Sequence, residues 1–289
     1  MLFRRSLMAH AGLVAIISIL LAWRATGQEG EAHWNQFRGP NGQGAAAADA
    51  IPAHFSPKTN VLWRTVVPAG HSSPVIWNNR VFLSASDSTN PKELVTLAID
   101  RKAGKLQWRQ VVQSETPGKF HPLNNAAAST PAADDQHVYE WMETMSGFAA
   151  ISHPNLLAIR AGAAGDARKS HVAWENQRGM PETCSPLYYR GRLYLLRDGG
   201  LLSCLQATTG AELFRERVRA AGQYIASPIA AEDKVIFGSV PGVVTVIQVD
   251  DKLKVLARNN FQEQIFATPA VAENKIYLRT VAHLYALGE

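Results

Sequence analysis

The chain has little from which to build a redox, metal or cross-linked protein. It holds only two cysteines, Cys184 and Cys204, in 289 residues. Two cysteines twenty positions apart supply neither a C-x-x-C pair nor a C-x-x-C-H haem attachment. H-E-x-x-H and G-x-S-x-G are missing too, which removes the zinc-peptidase and nucleophile-elbow signatures. Charged residues make up 18% of the chain, and no block of Lys or Arg interleaves with aromatics. A single-stranded nucleic-acid groove needs such a block. The nearest approach, Arg215 to Arg219, contains Glu216 and falls on a predicted edge strand, where alternating charge discourages edge pairing. Nucleic acid is not an expected partner.

Long apolar runs are scarce as well. The one at the N-terminus, Ala11 to Trp23, is shorter than the roughly 20 residues a membrane span requires. With Arg4 and Arg5 before it and Ala25-Thr26-Gly27 after it, residues 1–27 read as a secretory signal peptide. No cysteine follows the run, so no lipid anchor is expected. The sequence predicts export to the periplasm or beyond, with no membrane span after cleavage. Removing Arg4, Arg5 and Arg24 leaves about +2 of the formal +5 charge, so the pI of 9.3 belongs partly to the signal.

What the chain does have is a period. Thr183 to Val218 reads as four short strands joined by glycine-bearing turns, Arg190-Gly191, Asp198-Gly199-Gly200 and Thr209-Gly210. Its opening Ser185-Pro186 recurs as Ser73-Pro74, Thr130-Pro131, Ser227-Pro228 and Thr268-Pro269. Successive prolines lie 57, 55, 42 and 41 residues apart. Four-stranded propeller blades take about 40 to 50 residues. A second marker is fullest in Leu97-Ala98-Ile99-Asp100 running through Gly104 to Trp108, with looser copies at Leu156 to Trp174 and Val244 to Leu256. One such sheet buries little by itself and needs neighbours. The prediction is an all-β chain, a β-propeller of four-stranded antiparallel blades with about five visible.

The L-x-A-x-D-x-x-x-G-K-x-x-W pattern with S-P-V openings resembles the PQQ-like (pyrroloquinoline-quinone-like) β-propeller repeat. That family holds quinoprotein dehydrogenases and BamB-like outer-membrane-assembly propellers, generally of seven or eight blades. The resemblance covers roughly Trp34 to the C-terminus, and Trp34 to Gly42 resembles the leading segment of secreted members. It implies that Trp63, Trp108 and Trp174 dock between neighbouring blades. For the dehydrogenases it implies a quinone above a Ca²⁺ held by Glu, Asn and Asp oxygens; some also use a disulfide between adjacent cysteines, which this chain cannot form.

Three segments follow. Residues 1–27 are the signal, 28–59 an N-terminal arm, and 60–289 the propeller. The arm's Gly42 to Ala48 tract has no alternation and is expected to lie over the surface. Asn60 to Thr65 copies the fourth strand of a blade that has no other strands before it, while the last blade, from Thr268, ends one strand short. The N-terminal strand is therefore expected to complete the C-terminal blade, hiding two edges. Blade 2 is irregular, and about two blades are missing relative to the family near Glu140 to Met145; whether the ring closes is left open. Cys184 and Cys204 fall on the first and third strands of one blade, about 10 Å apart, and are expected to be buried free thiols. Tyr188, Tyr194, Tyr277 and Tyr285 are expected to share the packing role of the tryptophans.

Candidate catalytic residues are few. His71 and Ser73 share a face of an extended segment, but no orienting carboxylate can be assigned to them. Gly162 to Ser170 has Arg168 where a phosphate loop needs glycine. His121, His153, His171 and His283 lack metal-ligand spacing, and Asp134-Asp135 and Asp250-Asp251 read as turns. No catalytic, cofactor-binding or metal residue is assigned. The expected function is an exported, non-catalytic binding or scaffold propeller for protein, peptide or glycan partners, with no cofactor. The alternative is a PQQ-dependent, Ca²⁺-assisted dehydrogenase or its relic.

Overall fold

The computed structural model describes residues 33–86, 93–113, 127–139, 156–159, 172–220 and 222–289. The signal segment, Gly162 to Ser170, Glu140 to Met145, His121, His153 and His171 lie outside them. Strands dominate, and they group as the period predicts. Blade 1 is Val75–Trp77, Arg80–Ser86, Glu93–Asp100 and Leu106–Gln113, in that order across the sheet. Blade 3 is Leu187–Tyr189, Arg192–Arg197, Leu201–Gln206 and Glu212–Arg217. Blade 4 is Ile229–Ala231, Lys234–Gly238, Val243–Gln248 and Val255–Asn260. Blade 5 is Ala270–Ala272, Lys275–Arg279 and His283–Leu287, and its fourth strand is Val61–Val66. The expected closure is therefore present: Arg64 faces Tyr285 and Val66 faces His283 in antiparallel register. Blade 2 is in two pieces, Ala132–Ala133 with Val138–Tyr139, and Leu156–Ile159 with Val172–Asn176.

The Ser/Thr-Pro pairs have a physical task. Each opens the first strand of a blade, and in four of the five the hydroxyl accepts the amide of the equivalent residue next door. Ser185 N donates to Ser227 Oγ at 3.0 Å, Ser227 N to Thr268 Oγ1 at 2.9 Å, Thr268 N to Ser73 Oγ at 3.1 Å, and Ser73 N to Thr130 Oγ1 at 2.9 Å. The following proline has no N–H to leave unpaired. These four links order the blades 3, 4, 5, 1, 2 about one axis. The second piece of blade 2 meets blade 3 through Trp174, whose indole N–H donates to Ala207 O at 2.9 Å.

The tryptophans occupy one register position. Trp63, Trp108 and Trp174 on fourth strands face the small residues Ala286, Ala98 and Ala158 on third strands, each beside a β-bulge. Phe214 facing Cys204 and Ala257 facing Val246 fill the same position in blades 3 and 4. The bulge re-aims Trp63 and Trp174 toward the next blade, whereas Trp108 is 39% exposed and its ring lies 5.9 Å from Phe82 of its own blade. Trp63 donates to Arg101 O at 2.8 Å and lies flat on Gly104 of blade 1, while Trp174 lies on Gly210 of blade 3. Gly104 thus serves the preceding blade's tryptophan, not Trp108 on its own sheet. A Cβ at Gly104 would sit 2.6 Å from the Trp63 ring, on a residue with φ of +68°. Gly104→Ala is expected to cost about 2–4 kcal/mol. Gly191→Ala, at φ of +76° with nothing within 4 Å, should cost only about 1 kcal/mol. Paired urea melts check the difference.

Two expectations are corrected. Tyr194, Tyr277 and Tyr285 are fully buried, but Tyr188 is 60% exposed, because strand alternation turns it away from the core that takes Leu187. The arm does not lie over the surface. It runs along the inner edges of the blades in their own order. Trp34 exchanges two backbone hydrogen bonds with Ile76 of blade 1, both 2.9 Å. Asn35 O accepts from Ala133 N of blade 2 at 2.8 Å, and Arg38 Nη2 donates to Pro186 O of blade 3 at 2.9 Å. Ala45–Ala46 adds a parallel fifth strand to blade 4 against Ala230 and Ala231. Asp49 N then donates to Asn274 Oδ1 of blade 5 at 3.0 Å. First strands otherwise present unpaired edges toward the axis, and the arm supplies their partners. Its apolar side chains Trp34, Ile51 and Phe55 are buried in the main core cluster. Both thiols are free and buried as expected, and burial pushes each up to about 12.

Candidate functional site

The arm contacts the first strands and their hairpins at Glu232 and Asn274, so that end of the blades is covered. The candidate site is the opposite end, where the Ser/Thr-Pro pairs begin. Two residues before each Ser or Thr stand His71, Ala128, Thr183, Ile225 and Phe266. The links between the pairs place these equivalent positions about one axis. His71 and Phe266, from blades 1 and 5, stack with centroids 4.0 Å apart.

Behind His71 lies a buried polar knot. Ser72 Oγ donates to Ser84 O at 3.1 Å and accepts from Ser84 N at 3.0 Å and Arg279 Nη1 at 2.6 Å. Arg279, with no exposed surface, also donates to the carbonyls of Ser72 at 3.0 Å, Ser84 at 2.8 Å and Pro68 at 3.3 Å. Ser73 Oγ accepts from Thr268 N. The hydroxyls beside His71 are therefore framework groups. Burial and the Arg279 charge hold the imidazole down at about 4. A base whose folded value lies below the ordinary 6.5 stabilises the fold fully above that value. The contribution is lost as pH falls from about 6.5 toward 4. His71→Phe is expected to flatten that acid limb in melts taken across this range, leaving stability at pH 8 changed much less.

A second cluster bridges blades 4 and 5. Glu263 accepts from Thr280 Oγ1 at 2.5 Å and contacts His283 Nδ1 at 2.8 Å. Burial pushes the Glu263 carboxyl up, but the Thr280 and His283 hydrogen bonds outweigh it and bring the group below its ordinary value. Asp198 Oδ1 accepts Tyr224 N at 2.6 Å, and Glu182 pairs with Arg197 at 2.8 Å. These groups fix the loops between blades. The two aspartate pairs read as turns are engaged in like manner: Asp134 caps the amides of Gln136 and His137, and Asp251 pairs with Arg192 at 2.6 Å.

The sequence reading missed Arg279 and Glu263. Arg279 occupies the second-strand position held by Ser84, Leu196 and Gly238 in blades 1, 3 and 4. A charge where the other copies are small or apolar is the signal that could have found it.

Residues 159–254 match a family model described as outer membrane protein assembly factor BamB. That third of the chain is similar to the BamB-like PQQ repeat. The matched part spans the end of blade 2, blade 3 and most of blade 4. No curated protein matches it. Among solved structures it is similar to BamB from Moraxella catarrhalis, at 13% identity and a TM-score of 0.35 over 79% of this chain and 60% of that one. A europium-containing methanol dehydrogenase shares 11% identity, with a TM-score of 0.26, over 80% of this chain and 32% of that one. The computationally designed protein Ika8 shares 13%, with a TM-score of 0.35, over 75% and 70%. The chain thus spans about 60% of the BamB structure's length and a third of the dehydrogenase's.

Proposed function

We propose that the protein is an exported, non-catalytic β-propeller that acts as a binding or scaffold module for partners in the cell envelope or outside the cell. The observation that carries this reading is the use of polar groups on the Ser/Thr-Pro face. Ser72, Ser73, Thr268 and Glu263 are all bonded into the seams, and His71 is stacked and held neutral. A hydrolase needs a nucleophile free to attack and a base beside it. The family model for an assembly factor supports the same reading, as does the arm, which leaves one end of the blades for a partner. Among the described residues no helix is long and apolar enough to cross a membrane.

The quinoprotein alternative requires a carboxylate-rich Ca²⁺ cage beneath the quinone. Among the described residues no three of His, Cys, Asp and Glu form a group that could hold a metal ion, so this alternative draws no support from them.

The test has two arms. Photo-cross-linking residues placed at Gln223 and Gln264, on the Ser/Thr-Pro face, are expected to trap one envelope protein in cells. The same residues at Asn78 and Lys252, at the opposite end, are expected to trap none. Addition of PQQ and Ca²⁺ is expected to give no quinone absorbance and no alcohol oxidation. Oxidation, or cross-links from the opposite end only, contradicts the reading.

A further inference from the structure

We propose that the corner where blades 3 and 4 meet on the Ser/Thr-Pro face binds an extended acidic segment of a partner protein through Arg217, Arg219 and Arg258. The inference rests on the scaffold reading above and adds the partner's chemistry. The neighbouring carboxylates Glu182, Asp198 and Glu263 are occupied by Arg197, the Tyr224 amide, and Thr280 with His283. The three arginines are exposed, and among the described residues none meets a carboxylate.

Two of them are held in place by backbone. Arg217 Nη1 donates to Gly199 O at 2.9 Å, and Arg258 Nε reaches across the seam to Val218 O at 2.7 Å. Each contact uses one of the five donors on a guanidinium and leaves the rest for a carboxylate. Val218 itself is fully buried, so the backbone between the arginines is anchored. Arg219 lies two residues past the strand's end at Arg217, with φ of 56°, a left-handed conformation that an arginine rarely takes. Arg217 and Arg219 are one residue apart, about 7 Å on extended chain. An extended peptide with acids at alternate positions has the same repeat. Glu216 on this strand opposes a continuous polyanion such as nucleic acid or a lipid sheet, and discrete carboxylates can pass it.

The experiment is fluorescence anisotropy on the mature protein with a labelled peptide of alternating Glu and Ser, and its Gln-Ser counterpart as control. The Glu peptide is expected to bind, to weaken as salt rises from about 20 mM to about 300 mM, and to lose about tenfold with each Arg→Gln change. Arg80→Gln, an exposed arginine at the other end of its blade, is expected to leave binding unchanged. Thermal melts confirm that the variants are folded. Arg219→Gln, which breaks no internal hydrogen bond among those described, is the variant least open to that objection. Equal binding of the Gln peptide, unchanged binding by the triple variant, or binding of anionic phosphatidylglycerol vesicles without the peptide would each overturn the proposal. Face-specific cross-links that persist in the triple variant would leave the scaffold reading standing while this inference fails.

Discussion

Trp34→Ala is expected to lower unfolding free energy by about 3–5 kcal/mol, the range for removing a buried tryptophan. That is a large share of the ~5–15 kcal/mol by which domains are stable. The effect follows from where the arm lies. Trp34 has no exposed surface, belongs to the main core cluster, and sits on Gly39, whose missing Cβ would lie 2.5 Å from the ring. Its backbone pairs with Ile76 on the first strand of blade 1. Trp34→Phe is expected to cost much less, because the indole N–H finds no acceptor among the described residues. Phe37→Ala, three residues along and 43% exposed, should fall within about 0.5 kcal/mol of the parent. Urea unfolding by far-UV circular dichroism measures all three. A cost for Trp34→Ala as small as that for Phe37→Ala would mean that the arm is peripheral.

The second large effect belongs to Arg279. Arg279→Met keeps the length and apolar stem but withdraws every donor from the carbonyls of Ser72 and Ser84 and from Ser72 Oγ. Buried acceptors left without a donor cost about 1–3 kcal/mol each. Part of this is recovered because Ser72 and Ser84 still bond one another. A net loss of about 3–4 kcal/mol is expected on that basis. Arg279→Lys should fall between, since a point-like ammonium cannot reach several carbonyls at once. Thermal melts of the three proteins at pH 8, where His71 is neutral in all, read the effect without titration. Because Arg279 also lowers the His71 value, Arg279→Met should raise the lower end of the acid limb and so shorten and flatten it, its upper end near the ordinary value of 6.5 being set by the unfolded chain.

The features that were legible in the sequence are those whose cause is local. Ser/Thr-Pro is such a pair, since the hydroxyl links seams and the proline starts a strand with no donor to spare. The strand count was legible too: Asn60 to Thr65 had no blade of its own and the last blade lacked a strand, so the pairing of Trp63 with Ala286 followed. The arm's place was not legible. Gly42 to Ala48 shows no alternation, and its two paired residues join a sheet edge that belongs to residues 230 and 231. Arg279 was hidden for a similar reason. Its partners, Ser72 and Ser84, are nearly 200 residues away and are carbonyls and a hydroxyl, not the carboxylate that an arginine leads one to seek. Tyr188 was misplaced because strand membership fixes alternation but not which face meets a neighbour. The reading of five blades held, while the irregular second blade resolves into two separate pairs.

The central claim is that both ends of the chain share one sheet, the N-terminal strand completing blade 5. Val66 faces His283 in that sheet, and facing strand residues have Cα atoms about 4.5–5.5 Å apart, within disulfide reach. The most direct measurement is mild oxidation of the Val66→Cys, His283→Cys double variant, followed by intact-mass analysis and a non-reducing gel. Cys184 and Cys204 are buried and should remain reduced in the folded state. The account predicts near-complete cross-linking between the introduced pair with a raised melting temperature. Absence of the cross-link in folded protein, with both introduced thiols open to alkylation, would contradict it.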